Sequence, residues 1–525
     1  MTIETAQVLI GSGWRDALGD STFRAFDPDT GEACGDAFPV ATEAEIEDAV
    51  RAAVAAAPAL AAAAPETVAA FLERYADGIE REAGAIIALA HRETALPSVP
   101  RLSDNELPRT VCQLRQAAVA ARERSWTQPV IDTRNGLRSS LGPLCKPVVV
   151  FGPNNFPLAY NAIAGSDFAC AIAARSPVIA KVHPCHPGTS RALAKIALQA
   201  ARDTGLPDGS VQMLYQLDQD AGLALCGDAR IGAIGFTGSR AAGLALKAAA
   251  DRAGIPFFGE LSAVNPVVLL PGALAARGDD LAEEFLGSCL AGSGQMCTNP
   301  GVVIVPQGAA GDAFVAAAGT RFAAAAPVVV LSEAVLAGLE QGVQTLVGAG
   351  ARVVAGEARR VAPGFRFTPT LLDVSADVFL QAPRALQTEA FGPVSLIVRS
   401  GNEAATFAIV GELDGSLTGS IHADAAEADV AERLAARLRP RVGRLNFNRM
   451  PTGVIVSPAM NHGGPYPSST APGFSAVGMP GAIRRFAQLQ CYDRAPDGWL
   501  PAELTDANPH RVWRVVDGVP SRAPL

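Results

Sequence analysis

The sequence predicts an α/β fold built on a doubly wound parallel sheet, and three observations carry that prediction. From Lys146 onward, short apolar runs alternate with longer helical patterns, the texture of β-α-β units. Those runs are continuously apolar rather than alternating, as strands buried on both faces must be. At 525 residues the chain exceeds one ordinary core, and about 150 residues per domain gives roughly three units.

The elements follow in order. ATEAEIEDAVRAAVAAAPAL begins with Thr42 and carries Glu45 three residues later, a capping box ahead of an Ala-rich helix over 43–57. Helical periodicity recurs over 66–91 and 104–124. Residues 131–145 and the apolar run Phe486 to Tyr492 read as exposed strands able to pair and to recruit another subunit. The alternation then runs through strand KPVVVF, helix 158–174, strand PVIAKV, helix 187–204, strand SVQMLY, a short helix, strand IGAIGF and helix 240–252. Beyond Pro256 the pattern restarts with PFFGEL, NPVVLL, a helix near 279–291, GVVIVP, two further helices, PVSLIV, LTGSIH and GRLNFN. The expected organisation is a Rossmann-type dinucleotide-binding domain (1–130 and 146–257) and a second α/β, catalytic domain (258–465). Small oligomerisation strands (131–145 and 484–495) and a surface-wrapping C-terminal extension (496–525) complete it. Ligands collect at the carboxyl ends of strands in such sheets, so functional residues are expected just after each strand.

Composition excludes several functions. The formal charge of -9 is spread along the chain, with no Lys/Arg block to neutralise phosphates and only 6% aromatic residues to stack bases, which argues against nucleic acid. The start, MTIETAQVLIGSG, lacks the parts of a signal peptide, and no apolar run approaches the ~20 residues of a membrane helix, so no membrane partner and a cytoplasmic location are expected. Nine cysteines without a C-x-x-C pair indicate reduced thiols rather than disulfides or zinc. His183 and His186 are split by Pro184 with no carboxylate nearby, so no metal site is expected there.

Several segments carry chemistry. In AGSGQMCTNP, Cys297 follows a helix and a Gly-rich turn, where free backbone N–H groups favour a thiolate nucleophile. In FFGELSAVNP, Glu260 ends an apolar strand, a setting that suits a general base. The turn GPNNFP places the Asn155 amide where it could donate to a developing oxyanion. In IGAIGFTGSRAAG, the N–H groups around Gly238 and Ser239 open a helix and could hold a diphosphate, although the pattern is not G-x-G-x-x-G. Lys181 leaves the strand of AKVHPCHPGTS as a cation for a ribose hydroxyl or phosphate. Taken singly, each has a plain alternative: a packed thiol, a solvated strand-end carboxylate, a turn asparagine, a packing glycine.

Together, GPNNFP, AKVHP, FTGS, FGELSAVNP, GSGQMCTNP and TEAFGPV stand in the order and near the spacings of the aldehyde dehydrogenase superfamily, which the chain resembles over almost its whole length. The resemblance implies that Cys297 is the nucleophile, Glu260 the general base and Asn155 an oxyanion donor. It further implies that Lys181 and Glu389 contact the cofactor riboses and that Phe391 flanks the nicotinamide. The chain departs from the family pattern at Asn154, where a tryptophan is common, and at Ser262-Ala263, where a double glycine is common. Pro184 stands where many NAD-using members carry a glutamate, so nothing there repels a 2′-phosphate, which points to NADP, with NAD possible.

These departures, with FRAFDPDTGE, PTGVIV, HGGPYPSST and the tail CYDRAPDGWLPAELTDANP, resemble one bacterial branch acting on α-ketoglutaric semialdehyde or, with NADP, on fatty aldehydes. The implied reaction takes a small-molecule aldehyde to its carboxylate through a cysteine thioester, with α-ketoglutaric semialdehyde to 2-oxoglutarate first and a medium- or long-chain fatty aldehyde as the alternative. Arg449 in NFNRMPTGV could meet a distant substrate carboxylate, and His462 in NHGGP could approach the substrate. A coenzyme A-acylating dehydrogenase, a cysteine hydrolase without nicotinamide and a catalytically silent binding protein are the other readings. A homo-dimer or homo-tetramer is expected.

Overall fold

The computed structural model describes residues 5–525. Its first sheet has the spatial order Phe257–Glu260, Ala233–Thr237, Val148–Phe151, Val178–Lys181, Val211–Leu214, Val8–Ile10 and Gly13–Arg15. The first five strands are parallel, and the last two form a hairpin added antiparallel at the edge. Chain order runs outward in both directions from Val148–Phe151, so a topological switch point lies between that strand and Ala233–Thr237.

The capping box at Thr42 and Glu45 forms, and its helix continues through Pro58 to give Glu43–Ala62. Helices Pro187–Thr204 and Arg240–Arg252 match their expected spans. The pattern over 66–91 resolves into Pro65–Arg81 and Ala83–Thr94, broken at Glu82. The helix expected over 158–174 begins only at Ser166 and ends at Ala173. Residues before it stay in turns because side chains take over their backbone groups. The Glu106 carboxylate accepts from Leu158 N (2.8 Å) and Ala159 N (3.2 Å), while Asn161 donates to Pro157 O and accepts from Ile163 N.

The second sheet has the order Arg352–Ala355, Thr370–Ser375, Val394–Ser400, Val302–Pro306, Val267–Leu269, Ser416–His422 and Val442–Phe447, all parallel except the first. Alternate residues divide between two cores: Val268, Ile304 and Leu396 enter one, Val267, Val303 and Ile397 the other. PFFGEL does not open this second unit as expected. Phe257–Glu260 pairs in parallel with Ala233–Thr237, so the first sheet extends to Glu260 and the boundary expected at 257/258 falls inside a strand.

A third sheet joins Leu137–Pro143 antiparallel to Ala487–Asp493, with Leu489 opposite Leu141. The terminal extension does more than wrap: Arg514–Val516 pairs in parallel with Val130–Asp132, and Val519–Ser521 extends the same sheet. The tail is anchored by Arg124–Glu503, a buried ion pair at 2.8 Å, and by Arg514, which donates to Thr505 O and Ala523 O. Among the described residues no single helix is long and apolar enough to cross a membrane.

Candidate active site

The first sheet delivers its residues at strand exits. Asn155, buried four residues after Val148–Phe151, donates Nδ2 to Gln295 O at 2.8 Å, while its own carbonyl accepts from Arg101 Nη2 at 2.9 Å. Glu260 is the last residue of its strand, and its carbonyl accepts from Gly238 N at 3.1 Å. Ser239 caps helix Arg240–Arg252 through Ala242 N. Lys181 ends Val178–Lys181 half-buried, has no carboxylate partner among the described residues, and is pushed down to about 8 by burial, with Cys185 opposing.

The second sheet delivers its residues ahead of the strands. Cys297 precedes Val302–Pro306 on a turn whose Gly292, Ser293 and Gly294 all have positive φ. Gly294 is required: a Cβ there would lie 2.2 Å from the backbone of Gly392, and its φ is +75°. Asn265, fully buried, donates Nδ2 to Cys297 O (2.8 Å) and Asn299 O (3.0 Å) and accepts from Thr418 N (3.2 Å), fixing the nucleophile's backbone to two neighbouring strands. Asn265 was not singled out from sequence; an asparagine before Pro266, at the entry of an apolar strand, is the signal that could have found it.

These two halves meet at His462. Its Nε2 lies 3.1 Å from Cys297 Sγ, and its Nδ1 lies 2.5 Å from Glu260 Oε2. The imidazole and the carboxylate are almost fully buried. Nδ1 and Oε2 are close without being aligned for a hydrogen bond, and Glu260 Oε1 has no partner either. Burial alone would push the imidazole down, but Glu260, Tyr160 and Cys297 together outweigh it and hold His462 well above the usual histidine value. The loop bearing His462 presses against the second sheet: a Cβ on Gly443 would meet Gly463 O at 1.7 Å. His462, expected from the sequence to approach the substrate, stands between the sulfur and the carboxylate.

Glu389 and Phe391 precede Val394–Ser400 and line a small pocket with Gly294, Asn299 and Ala263. Burial raises the Glu389 carboxyl to about 7, against the hydrogen bonds from Ser262 and the Ala263 N–H. Arg449 lies exposed beyond Val442–Phe447. His186 is fully buried against Pro153 O (3.0 Å), and burial pushes it down to about 4. His183 instead accepts from Cys185 N.

The sequence model of the aldehyde dehydrogenase family matches residues 14–489. The chain is 40% identical to alpha-ketoglutaric semialdehyde dehydrogenase 2 of Azospirillum brasilense, over 98% of this chain and 99% of that one. It is 35% identical to alpha-ketoglutaric semialdehyde dehydrogenase of Acinetobacter baylyi, over 82% and 83% respectively. Among solved structures, lactaldehyde dehydrogenase from Escherichia coli is similar with a TM-score of 0.81 at 24% identity, covering 94% of this chain and 99% of that one. A 3,6-anhydro-L-galactose dehydrogenase in complex with NAP gives a TM-score of 0.79 at 21% identity, covering 93% and 99%.

Proposed function

The chain belongs to the aldehyde dehydrogenase family, and from that premise we propose that it oxidises α-ketoglutaric semialdehyde to 2-oxoglutarate through a thioester on Cys297. It is an oxidoreductase acting on aldehydes with NAD(P). The observation that carries the mechanism is the unbroken line of contacts from Cys297 Sγ through His462 to Glu260. The substrate rests on the identity to relatives named for it, across nearly the whole chain in one case.

In this reading His462 takes the proton of the Cys297 thiol, and the buried Glu260 carboxylate stabilises the imidazolium that forms. The thiolate adds to the aldehyde carbon, and the Asn155 amide with the Cys297 N–H holds the oxyanion. For that task Asn155 must exchange its present acceptor, Gln295 O, for the substrate oxygen. Loss of hydride leaves a thioester on the sulfur. Glu260, whose Oε1 has no donor, takes a proton from the water that attacks this thioester, and the thiolate departs as the carboxylate forms. Retention of that base favours hydrolysis over transfer to coenzyme A.

The strand exits suit the family's nicotinamide cofactor: the switch point, the helix opening at Ser239 and an uncompensated Lys181 would hold its anionic part, and Glu389 and Phe391, which line a small pocket with Gly294, would meet it from the second sheet. When bound, it supplies the hydride acceptor. Lys181 without a carboxylate partner, and Pro184 beside it, favour NADP over NAD. Arg449, exposed beyond Val442–Phe447, would act on the substrate through its charge rather than through a buried contact. All nine cysteines are free thiols, which supports a reducing, cytoplasmic setting, and the unpaired edge of Ala487–Asp493 with exposed Leu489 supports pairing with a second copy.

The test is a screen of purified protein with α-ketoglutaric semialdehyde, medium- and long-chain aldehydes, NAD and NADP, with and without coenzyme A. The expected result is coenzyme A-independent NADPH formation with the semialdehyde preferred. Preference for a fatty aldehyde, or an absolute need for coenzyme A, would overturn it.

A further inference from the structure

Several arginines lie near the centre, and Arg485, which feels the Glu260 charge, is paired with Asp167 at 2.6 Å. Arg101 is neutralised by Glu106 at 3.2 Å. Arg444 spends its donors on Gly453 O, Pro451 O and the Thr418 hydroxyl. Arg449 is exposed. Arg109 is half-buried, forms no ion pair among the described residues, and uses two of its five N–H donors: Nη2 to the Tyr160 hydroxyl at 2.7 Å and Nη1 to Val454 O at 3.2 Å. Its Nε is buried without an acceptor.

Arg109 is the third residue of helix Leu107–Glu123, which continues without a break from the helical segment Ser98–Glu106. Glu106, a carboxylate that feels the Arg109 charge, is already committed to Arg101 and to Leu158 N and Ala159 N. The guanidinium stacks 4.9 Å from the Tyr160 ring, and that ring is 5.9 Å from the ring of His462. Its other acceptor, Val454 O, follows Gly453, whose N–H donates to the Thr298 hydroxyl beside Cys297. Arg109 is thus one aromatic ring away from the sulfur-bearing centre and is held on both sides by residues that frame it.

We infer that Arg109 is the receptor for the carboxylate carried at the far end of the aldehyde substrate. A carboxylate can take the unused N–H donors of Nη1 and Nη2 as a bidentate pair. The Tyr160 hydroxyl, which both donates and accepts, can turn with it. This rests on the proposed substrate and makes Arg109, rather than the exposed Arg449, the residue that separates a carboxylated aldehyde from a neutral one of equal length.

The test compares the intact protein with Arg109→Met and Arg109→Lys, after thermal melts establish that each is folded. With α-ketoglutaric semialdehyde, Arg109→Met should lose roughly 30-fold in kcat/KM, mainly through KM, and change pentanal oxidation by less than about threefold, while Arg109→Lys recovers part of the loss. Equal losses with both aldehydes would mean that Arg109 only straps the helix to the Val454 loop, and would overturn the inference. Calorimetry with 2-oxoglutarate as probe reads the receptor without turnover. Loss of binding in Arg109→Met supports it even if the semialdehyde proves not to be the substrate, and unchanged binding overturns it whatever the turnover.

Discussion

At the first sheet, Asn155, Lys181, Gly238 and Glu260 lie at or just past the carboxyl ends of strands; at the second, Asn265, Cys297, Glu389 and Phe391 lie before the amino ends. The site is the seam where two sheets face each other with opposite polarity. The first wall is set by local rules, because a strand exit followed by a helix N-terminus places N–H groups and side chains without help from elsewhere. The second wall is set by distant contacts: Asn265 grips the Cys297 carbonyl, Gly294 packs on Gly392, and the His462 loop rests on Gly443. Substitutions at Asn265 and Cys297 should therefore damage the nucleophile, and those at Lys181 and Glu260 should damage cofactor binding and deacylation respectively.

The largest expected effect is on the second wall. Cys297→Ala should lower aldehyde-dependent NADPH formation by at least about 10⁴-fold while leaving cofactor affinity unchanged, read by stopped-flow and by fluorescence titration. Weakened cofactor binding in that variant would break the division between walls. Next, Glu260→Gln should slow turnover by about 10²- to 10⁴-fold and let an acyl-enzyme accumulate, visible by mass spectrometry. His462→Ala should slow alkylation of Cys297 at neutral pH, since the imidazole 3.1 Å from its Sγ is removed; an unchanged rate would mean that the sulfur is not activated by the imidazole.

Asn265→Ala should cost about 10-fold in kcat and lower the melting temperature, because Thr418 N and two carbonyls lose a buried partner. The smallest effect belongs to the first wall. Lys181→Met should weaken NADP by roughly 10-fold and NAD far less. Because burial lowers the Lys181 ammonium to about 8, its charge is present below that value and lost above it, so NADP affinity of the unsubstituted protein should fall as pH rises through 8. A flat affinity profile would remove Lys181 from the phosphate site.

The same division explains what could be read in advance. Helices Pro187–Thr204 and Arg240–Arg252 were legible because Pro187 and Ser239 punctuate them at their first turns and periodicity does the rest. Cys297 and Glu260 stood out through their segments, but their connection through His462 joins residues far apart in sequence, and no local pattern encodes it. Asn265 and Arg109 were passed over for the same reason: each looks ordinary until its partners arrive from other elements. The strand at Phe257–Glu260 was assigned to the wrong unit because a continuous apolar run does not announce which sheet it will join. The strands at Val8–Ile10 and Arg514–Val516 are too short to display a period.

The third sheet sets an order of events during biosynthesis. Val130–Asp132 leaves the ribosome long before Arg514–Val516, yet the two strands pair in parallel. Until Arg514–Val516 emerges, one flank of this ribbon has open backbone donors and acceptors that a nascent neighbour could capture. Completion of the small sheet therefore waits for Arg514–Val516, and deletion of residues 496–525 should favour aggregation more than it reduces the intrinsic rate of any molecules that fold.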